Sequence, residues 1–373
     1  MSKITSAGIG ILILLVLVTG ANAIAVENIT KLDIAETNLW DVVLSPDGTK
    51  LAYIAYDENH TQQVYVINTD GTGEKKLTGD PNKKWELAWG PDRIAYVSYG
   101  KDGLEKIFVV DPDGTGNIQL IPDNTRQGNP GFDKPPAWAA PSWSPDGKSL
   151  IYTSLDGKED PKIYKVNSDG TGKVQVFNDS FRQWSPVFSP DGQNIVYVSY
   201  PSEKNIEQLF IVDIAGTARR QLTFDAIKPN YQDWGPDGTI VFVSYENVTS
   251  SGERLFAIDQ DGSNMRLFIN GDYKQQSPSF SRDGRKFAYA AIDISGTVKI
   301  AVGDLTGIKA IVTPLVTTPA TPAPSGKTTV RPTVKETERG GWMEGPIWTG
   351  FIVLVIVVLL LLILWQTRDY FKK

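Results

Sequence analysis

The stretch FSPDGQNIVYVSY, residues 188–200, contains the pattern from which the fold can be predicted. Pro190 presets the backbone for a tight turn, and Gly192 can adopt the positive φ that such a turn requires. The run that follows is rich in β-branched and aromatic residues and is typical of a strand. An aromatic residue, a Ser-Pro-Asp-Gly turn and a strand therefore form one structural unit.

The same unit occurs six times along the chain. The turn motif begins at Ser45, Gly90, Ser144, Ser189, Gly235 and Ser281, so that the steps are 45, 54, 45, 46 and 46 residues. A period in this range indicates an array of supersecondary units. Arg93 replaces the glycine of the second turn and Arg282 replaces the proline of the sixth, and we interpret both as tolerable turn variants.

Each unit is expected to contain four short strands. A variable loop leads to a third strand such as residues 209–212, and an Asp-Gly-Thr-Gly turn leads to a closing strand such as Leu77-Thr78. Strands joined in this way make one antiparallel sheet. The repeat therefore predicts an all-β fold, a six-bladed β-propeller of four-stranded antiparallel blades over residues 24–312. The spacing leaves open whether residues 28–32 add a strand that closes the sixth blade.

The repeated unit of an aromatic residue, Ser-Pro-Asp-Gly and a strand of the form Ile-x-Tyr resembles the TolB-type β-propeller family. The resemblance covers the whole predicted propeller and implies a fold, whereas it specifies little about function. The periplasmic member that names the family carries an N-terminal α/β domain, and the oligopeptidase relatives carry an α/β-hydrolase domain. We expect this chain to have room for neither.

Residues 1–23 are typical of a signal peptide. Lys3 precedes an apolar run over residues 9–18, and Ala21-Asn22-Ala23 has the small-x-small form of a cleavage site. The apolar run is too short for an ordinary transmembrane span. We expect cleavage near Ala23, with an uncleaved anchor as the alternative.

The C-terminal part predicts a membrane anchor. Residues 347–365 carry no charge and are long enough to cross a bilayer core, so a transmembrane helix is predicted over residues 342–366. The basic tail of residues 367–373 belongs in the cytoplasm by the positive-inside rule. Residues 313–341 alternate proline with threonine and serine, which indicates an extended stalk. We therefore expect the propeller to lie on the extracellular side of the cell membrane.

The composition excludes several classes of function. The 373 residues include 37 Lys and Arg and 43 Asp and Glu, and this net negative charge argues against nucleic-acid binding. The chain has no Cys and a single His, His60, so thiol chemistry, disulfides and histidine clusters are excluded. Turns such as Asn68-x-Asp70-Gly resemble the start of a calcium loop but lack the downstream Glu, and we interpret them as turns. We expect no cofactor and no metal.

Strand direction divides the loops between two ends of the propeller. The Pro-Asp-Gly and Asp-Gly-Thr-Gly turns share one end, the turn face, and the variable loops share the other end, the variable face. Five residues before the turn motif stand three tryptophans and beside them acidic and aromatic side chains, while an insertion between blades 2 and 3 adds further aromatics. The candidate ligand-binding residues are Trp40, Asp41, Trp85, Glu86, Phe132, Trp138, Trp184 and Tyr231. Packing of these tryptophans between blades is the alternative interpretation.

The leading functional hypothesis is a surface binding module, not an enzyme, that recognises a protein or an envelope polysaccharide. A glycosidase or lyase with carboxylates such as Asp41 and Glu86 at the channel mouth is one alternative, and a structural component of an outer surface layer is another. Four asparagines fit the acceptor pattern for N-glycosylation. They are Asn28, Asn59, Asn178 and Asn247.

Overall fold

The computed structural model describes the propeller region of the chain. It describes residues 24–34, 39–122, 127, 141–155, 161–178, 180–200, 206–224, 228–245, 252–272 and 274–307. All of these residues belong to the first of two units into which the chain divides at Pro314. The predicted signal peptide, stalk, transmembrane helix and tail lie outside the described residues and stay predictions. Within the described ranges, no helix is long and apolar enough to cross a membrane.

The described residues form six antiparallel sheets of four strands each, so the predicted six-bladed propeller is confirmed. Blades 1 and 2 contain β2 (Leu39–Leu44), β3 (Lys50–Tyr56), β4 (Gln62–Asn68), β5 (Lys75–Lys76), β6 (Lys84–Trp89), β7 (Ile94–Tyr99), β8 (Glu105–Val110) and β9 (Ile118–Gln119). Blades 3 and 4 contain β10 (Ser142–Trp143), β11 (Ser149–Ser154), β12 (Lys162–Asn167), β13 (Val174–Gln175), β14 (Gln183–Phe188), β15 (Asn194–Ser199), β16 (Gln208–Asp213) and β17 (Arg220–Gln221). Blades 5 and 6 contain β18 (Asn230–Trp234), β19 (Thr239–Tyr245), β20 (Glu253–Asp259), β21 (Arg266–Leu267), β22 (Lys274–Phe280), β23 (Lys286–Ile292), β24 (Val298–Thr306) and, from the N-terminal side, β1 (Ala25–Lys31).

Strand β1 closes the ring. It pairs antiparallel with β24 and becomes the outermost strand of blade 6, which answers the question that the sequence left open. Most of β1 is exposed, and its neighbours Ile24 and Leu32 are buried in two different interblade cores. A Cβ atom at Gly303 would collide with Val26, so the absence of a side chain there lets β1 approach β24.

The Pro-Asp-Gly turns have the geometry that their sequence predicts. In blade 1, Gly48 has a φ of 67° and its N–H donates to Ser45 O at 2.9 Å. Asp47 Oδ1 accepts from the Ser45 hydroxyl at 2.6 Å and from Thr49 N at 3.1 Å, which fixes the turn. Blade 2 differs because Arg93 replaces the glycine, and there the turn is closed by Gly90 N donating to Arg93 O at 2.8 Å.

The apolar core lies between neighbouring blades. Each of the six clusters of buried side chains contains residues from two adjacent blades; one of them packs Trp184 and Val198 of blade 4 against Trp234 and Phe242 of blade 5. A buried tyrosine occupies the centre of the second strand in five blades, and in blade 2 its hydroxyl donates to Asn117 Oδ1 at 2.7 Å, next to the outer strand. The blades are therefore stacked face to face around the ring.

The closing strands lie two residues earlier than predicted. The ladder in blade 1 ends at Lys76, while Leu77 N still donates to Val64 O at 2.8 Å and the Leu77 side chain is buried. At the next residue a side chain replaces the backbone as hydrogen-bond partner. Thr78 Oγ1 accepts from Val64 N at 3.0 Å and donates to Gln63 Oε1 at 2.6 Å. Thr223 does the same for Leu209 in blade 4, and glutamines from the following segment do so in blades 2, 3 and 5.

We predict that Thr78→Val lowers the free energy of unfolding by about 1–3 kcal/mol, since it leaves the buried N–H of Val64 without its acceptor. Valine keeps the shape of threonine, so the loss reports on the hydroxyl. Thr30→Val on the exposed strand β1 is the control and should change the value by less than about 0.5 kcal/mol. Denaturant unfolding of both variants measures the difference, and an equal effect of the two substitutions would contradict the role of the Thr78 hydroxyl.

Candidate functional site

A central channel runs between the innermost strands. Its lining includes residues of all six, from β2, β6, β10, β14, β18 and β22. Asp41 and Glu86 line it toward the variable face, and Pro46 and Arg282 line it toward the turn face. Residues that are distant in sequence therefore share one cavity, and the channel is where the six blades can act together.

A ring of bulges surrounds the channel near the variable face. In blades 1, 2, 4, 5 and 6 the register between first and second strand shifts by a bulge, and one residue there has a φ between 46° and 57°. These five residues, the bulge ring, are Asp41, Glu86, Ser185, Tyr231 and Ser277. Left-handed backbone costs a non-glycine residue about 1–2 kcal/mol, and bulges re-aim side chains. Strain repeated at one level of a channel indicates a functional site.

Two acidic residues of the bulge ring are joined by a hydrogen bond. Asp41 Oδ2 accepts a hydrogen bond from Glu86 N at 2.7 Å, which joins blade 1 to blade 2. Asp41 is half-buried at the channel wall, whereas Glu86 is buried. Burial raises the pKa of Asp41 to about 6, although the hydrogen bond from Glu86 opposes the shift. A carboxyl group that titrates this close to neutral pH is typical of binding and catalytic sites.

Tyr231 of blade 5 shares the electrostatic environment of these carboxylates. Burial raises the pKa of the Tyr231 hydroxyl, and the negative charges of Asp41, Glu86 and Glu253 raise it further. Glu253 accepts a hydrogen bond from Gln276 Nε2 at 2.5 Å at the same level of blade 6. We call Asp41, Glu86 and Tyr231, which line the channel, the acidic mouth; Glu253 adds its charge from the third strand of blade 5. The charge of the acidic mouth favours a positively charged or hydrogen-bond-donating group.

The three predicted tryptophans lie behind this mouth. Trp85 and Trp184 are 7% and 2% exposed, and both belong to interblade cores. The rings of all three pack edge-on against a tyrosine at the end of the second strand or directly after it, with centroids 5.2 Å apart for Trp40, 5.1 Å for Trp85 and 5.0 Å for Trp184. These contacts describe a packing role, and ligand contact by the tryptophans stays a prediction. The structure therefore separates Asp41, Glu86 and Tyr231, which line the channel, from the aromatic residues beside them.

Other predicted residues lie away from the channel or outside the described part. Phe132, Trp138 and Asn247 are among the residues that the structure does not describe, so their roles stay predictions. In the insertion that holds the first two, Gln127 is buried and Gln127 Oε1 accepts from Ile107 N at 3.0 Å. The remaining glycosylation candidates, Asn28, Asn59 and Asn178, are exposed.

Deeper in the channel, side chains connect neighbouring innermost strands. Asp233 Oδ2 of blade 5 accepts from Phe280 N of blade 6 at 2.7 Å. The equivalent contacts are Leu44 N to Ser279 Oγ at 2.9 Å, from blade 1 to blade 6, and Phe188 N to Ser142 Oγ at 3.2 Å, from blade 4 to blade 3. Burial raises the pKa of Asp233 to about 6, against the hydrogen bonds and the charge of Arg282, which lower it.

Asp233 was not among the predicted site residues. It stands one position before the aromatic residue of the repeat, where Val43, Ala88 and Val187 stand in blades 1, 2 and 4. A carboxylate at a position that is apolar in three of the blades is the sequence feature from which a role of Asp233 in the channel could have been predicted. Arg282 was noticed only as a turn variant, although its side chain lines the channel.

The aspartates of the Asp-Gly-Thr-Gly turns have a different role. Asp70 Oδ1 accepts from Thr72 N at 2.9 Å and from the Thr72 hydroxyl at 2.6 Å, and these hydrogen bonds lower the pKa of Asp70. Asp113 and Asp169 make the same pair of contacts in their own turns. The calcium-like spacing is thus used by the turns themselves.

Comparison with known proteins agrees with this architecture. Residues 125–252 match the TolB beta propeller domain. The chain is 30% identical over 160 residues to an uncharacterized protein of Agrobacterium fabrum, a match that covers 39% of this chain and 52% of the relative. The aligned region therefore spans about half the length of that relative.

Two solved structures of TolB proteins are similar to this chain. A putative TolB from Agrobacterium tumefaciens superimposes with a TM-score of 0.53 at 20% identity, covering 72% of this chain and 90% of that one. TolB from Acinetobacter baumannii gives a TM-score of 0.49 at 19% identity, with 72% and 64% covered. The predicted resemblance to TolB-type propellers is confirmed by the match of residues 125–252 and by the superposition on the Agrobacterium structure, which concerns the fold.

We predict that Asp41→Asn raises the stability of the propeller at neutral pH. The pKa of Asp41 is about 6 in the folded state and 3.8 when unperturbed, so its contribution to stability is full below pH 4 and is lost as the pH rises through 6. Asparagine keeps an acceptor for Glu86 N without this penalty. The gain should approach about 1–2 kcal/mol at pH 8 and vanish near pH 4.

Asp70→Asn is the matched control and should change the stability at pH 8 in the opposite direction. Hydrogen bonds lower the pKa of Asp70, so its contribution is present above pH 4 and is lost as the pH falls, and its removal should destabilise the protein at pH 8. Thermal unfolding of both variants from pH 4 to pH 8 makes the comparison. Destabilisation by Asp41→Asn at pH 8 would contradict this account, because it would show that burial of the ionised Asp41 carboxylate does not lower the stability of the protein.

Proposed function

We propose that this protein is a binding module that receives a positively charged segment of a partner protein at the acidic mouth of its channel. The observation that carries the proposal is the contact of Asp41 with Glu86 on the bulge ring, where burial holds the pKa of Asp41 near 6. A carboxylate that is costly to keep ionised in the free protein gains most from a cationic ligand, because the ligand offsets that cost.

The shape of the channel supports a narrow ligand. Serine hydroxyls from blades 4 and 6 and the phenol of Tyr231 stand on the same ring as the carboxylates. They offer directional hydrogen bonds around a central opening, which suits one Lys or Arg side chain or a chain end better than a flat surface would. The predicted stalk and transmembrane helix would present this mouth outside the cell, where a partner protein can reach it.

The test measures binding of synthetic peptides to the full-length protein in detergent. Three fluorescent decapeptides of Gly and Ser carry alternating Lys, alternating Glu or no charged residue. We expect the Lys peptide to bind most tightly, and Asp41→Asn combined with Glu86→Gln to weaken it at least about tenfold. Glu58→Gln combined with Asp92→Asn removes two carboxylates from exposed positions outside the channel and should leave the affinity within about twofold.

The pH dependence adds an independent check. Asp41 becomes ionised as the pH rises through about 6, so the Lys peptide should bind more tightly at pH 7 than at pH 5. This gain should disappear in the Asp41→Asn variant. Equal binding of the three peptides, or equal loss in the mouth variant and the surface control, would contradict the proposal.

A second candidate function is a glycosidase or lyase. It is favoured by one observation, the carboxyl of Asp41 with a pKa of about 6 in a channel that Glu86 also lines, since two carboxyl groups in one channel can divide the roles of acid and base. Incubation with neutral and uronic-acid oligosaccharides, followed by chromatography of the products, tests it. Cleavage that is lost in Asp41→Asn would favour the enzyme, and intact substrates would favour the binding module.

A further inference from the structure

One position of the repeat differs in blade 6 and faces the channel. The second residue of the turn motif is proline in the other five blades, namely Pro46, Pro91, Pro145, Pro190 and Pro236. In blade 6 it is Arg282, and its side chain lines the turn-face end of the channel together with Pro46, Pro190 and Pro236. A long cationic side chain therefore stands where the repeat elsewhere places a short ring.

The Arg282 side chain crosses the channel. Its Nη1 donates to Pro145 O at 2.7 Å and to Ser144 O at 3.4 Å, and both carbonyls belong to the turn of blade 3. In a ring of six, blade 3 is opposite blade 6, so the contact spans the diameter and does not join neighbours. The residue after Arg282 contacts the neighbouring blade through its backbone. Asp283 N donates to Pro46 O of blade 1 at 3.0 Å.

Charges on two other blades favour this placement. The carboxylates of Asp233 on blade 5 and Asp146 on blade 3 both act on the guanidinium, although burial lowers the pKa of Arg282 overall. Arginine stays protonated in proteins, so the side chain keeps its charge there. In return the charge of Arg282 lowers the pKa of Asp233. The guanidinium is thus held between an acceptor pair on the far side and a carboxylate deeper in the channel.

We propose that Arg282 is a bar across the turn-face end of the channel, which makes the channel a pocket that opens only at the variable face. A segment that enters past the acidic mouth is stopped at the level of Arg282, so this residue sets the depth of the pocket. The bar is a single exposed side chain, so a change of its rotamer is expected to open the channel without a change in the blades. The proposal does not depend on what the acidic mouth binds.

The test uses a reporter thiol, since the chain has no cysteine of its own. Val187→Cys places the thiol on the channel wall of blade 4, midway between the two ends. Arg282→Pro restores the residue that the other blades carry, and Arg282→Gln shortens the side chain and removes its charge. Arg285→Ala removes an exposed arginine from the same turn and is the matched control.

The measurement is the rate at which a small neutral methanethiosulfonate modifies the thiol in the full-length protein. In the parent protein the reagent reaches the thiol from the variable face alone, and loss of the bar opens a second route from the turn face. We therefore expect Arg282→Pro and Arg282→Gln to raise this rate about twofold, and Arg285→Ala to leave it within about 1.2-fold, because thiol modification follows access. If Arg282→Pro melts early, Arg282→Gln alone decides the outcome. Unchanged rates in folded Arg282 variants, or an equal rise in the control, would overturn the proposal.

A second readout separates the bar from a general structural role. Carboxyl NMR of Asp233 should show a higher pKa in Arg282→Gln than in the parent, because the charge that lowers it is gone. Arg282→Lys keeps the charge and should bring the value back toward that of the parent. A pKa of Asp233 that is the same in all three proteins would place the guanidinium away from the channel and overturn the proposal.

Discussion

A four-stranded blade of this protein has two apolar faces, so no blade can bury its core until both of its neighbours are in place. Each of the six clusters of buried side chains draws on two blades, and the last of these interfaces forms only when the ring closes. Strand β1 completes the ring by adding an outer strand to blade 6, with Ile24 and Leu32 seated in separate cores. Closure is therefore the condition on which both the stability and the channel depend.

Ring closure also determines the chemistry of the channel. The innermost strands have no strand partner on the channel side, so their N–H groups need other acceptors, and Asp233, Ser279 and Ser142 supply them from the neighbouring blade. Ring closure also brings Asp41 beside Glu86. It places Tyr231 near charged residues of three other strands, and these charges raise the pKa of its hydroxyl. A carboxyl group whose pKa burial raises to about 6 lowers the stability of the protein at neutral pH. Such a group at the mouth of a channel fits a binding role better than a packing role.

The blades could be predicted from the sequence because the residues that determine each blade are close together in the chain. The turn glycines and the strand alternation lie within one unit, the period follows from its repetition, and the structure confirms the six blades that they predict. The bulge ring was not predicted, since a φ of +57° at Glu86 has no signature in residue type. The packing of Trp184 and the reach of Arg282 to Pro145 depend on which blades become neighbours or opposites, and that is decided only when the ring is closed.

The central claim is that the closed ring holds a carboxylate at the channel mouth against the cost of burial. Titration of Asp41 by carboxyl-carbon NMR in the full-length protein, with Asp41→Asn to assign the signal, tests it most directly. The account predicts an apparent pKa of about 6, which moves downward when the Lys peptide is added at saturating concentration. A pKa near 3.8 that the peptide does not move would mean that Asp41 is an ordinary solvated side chain and would contradict the account.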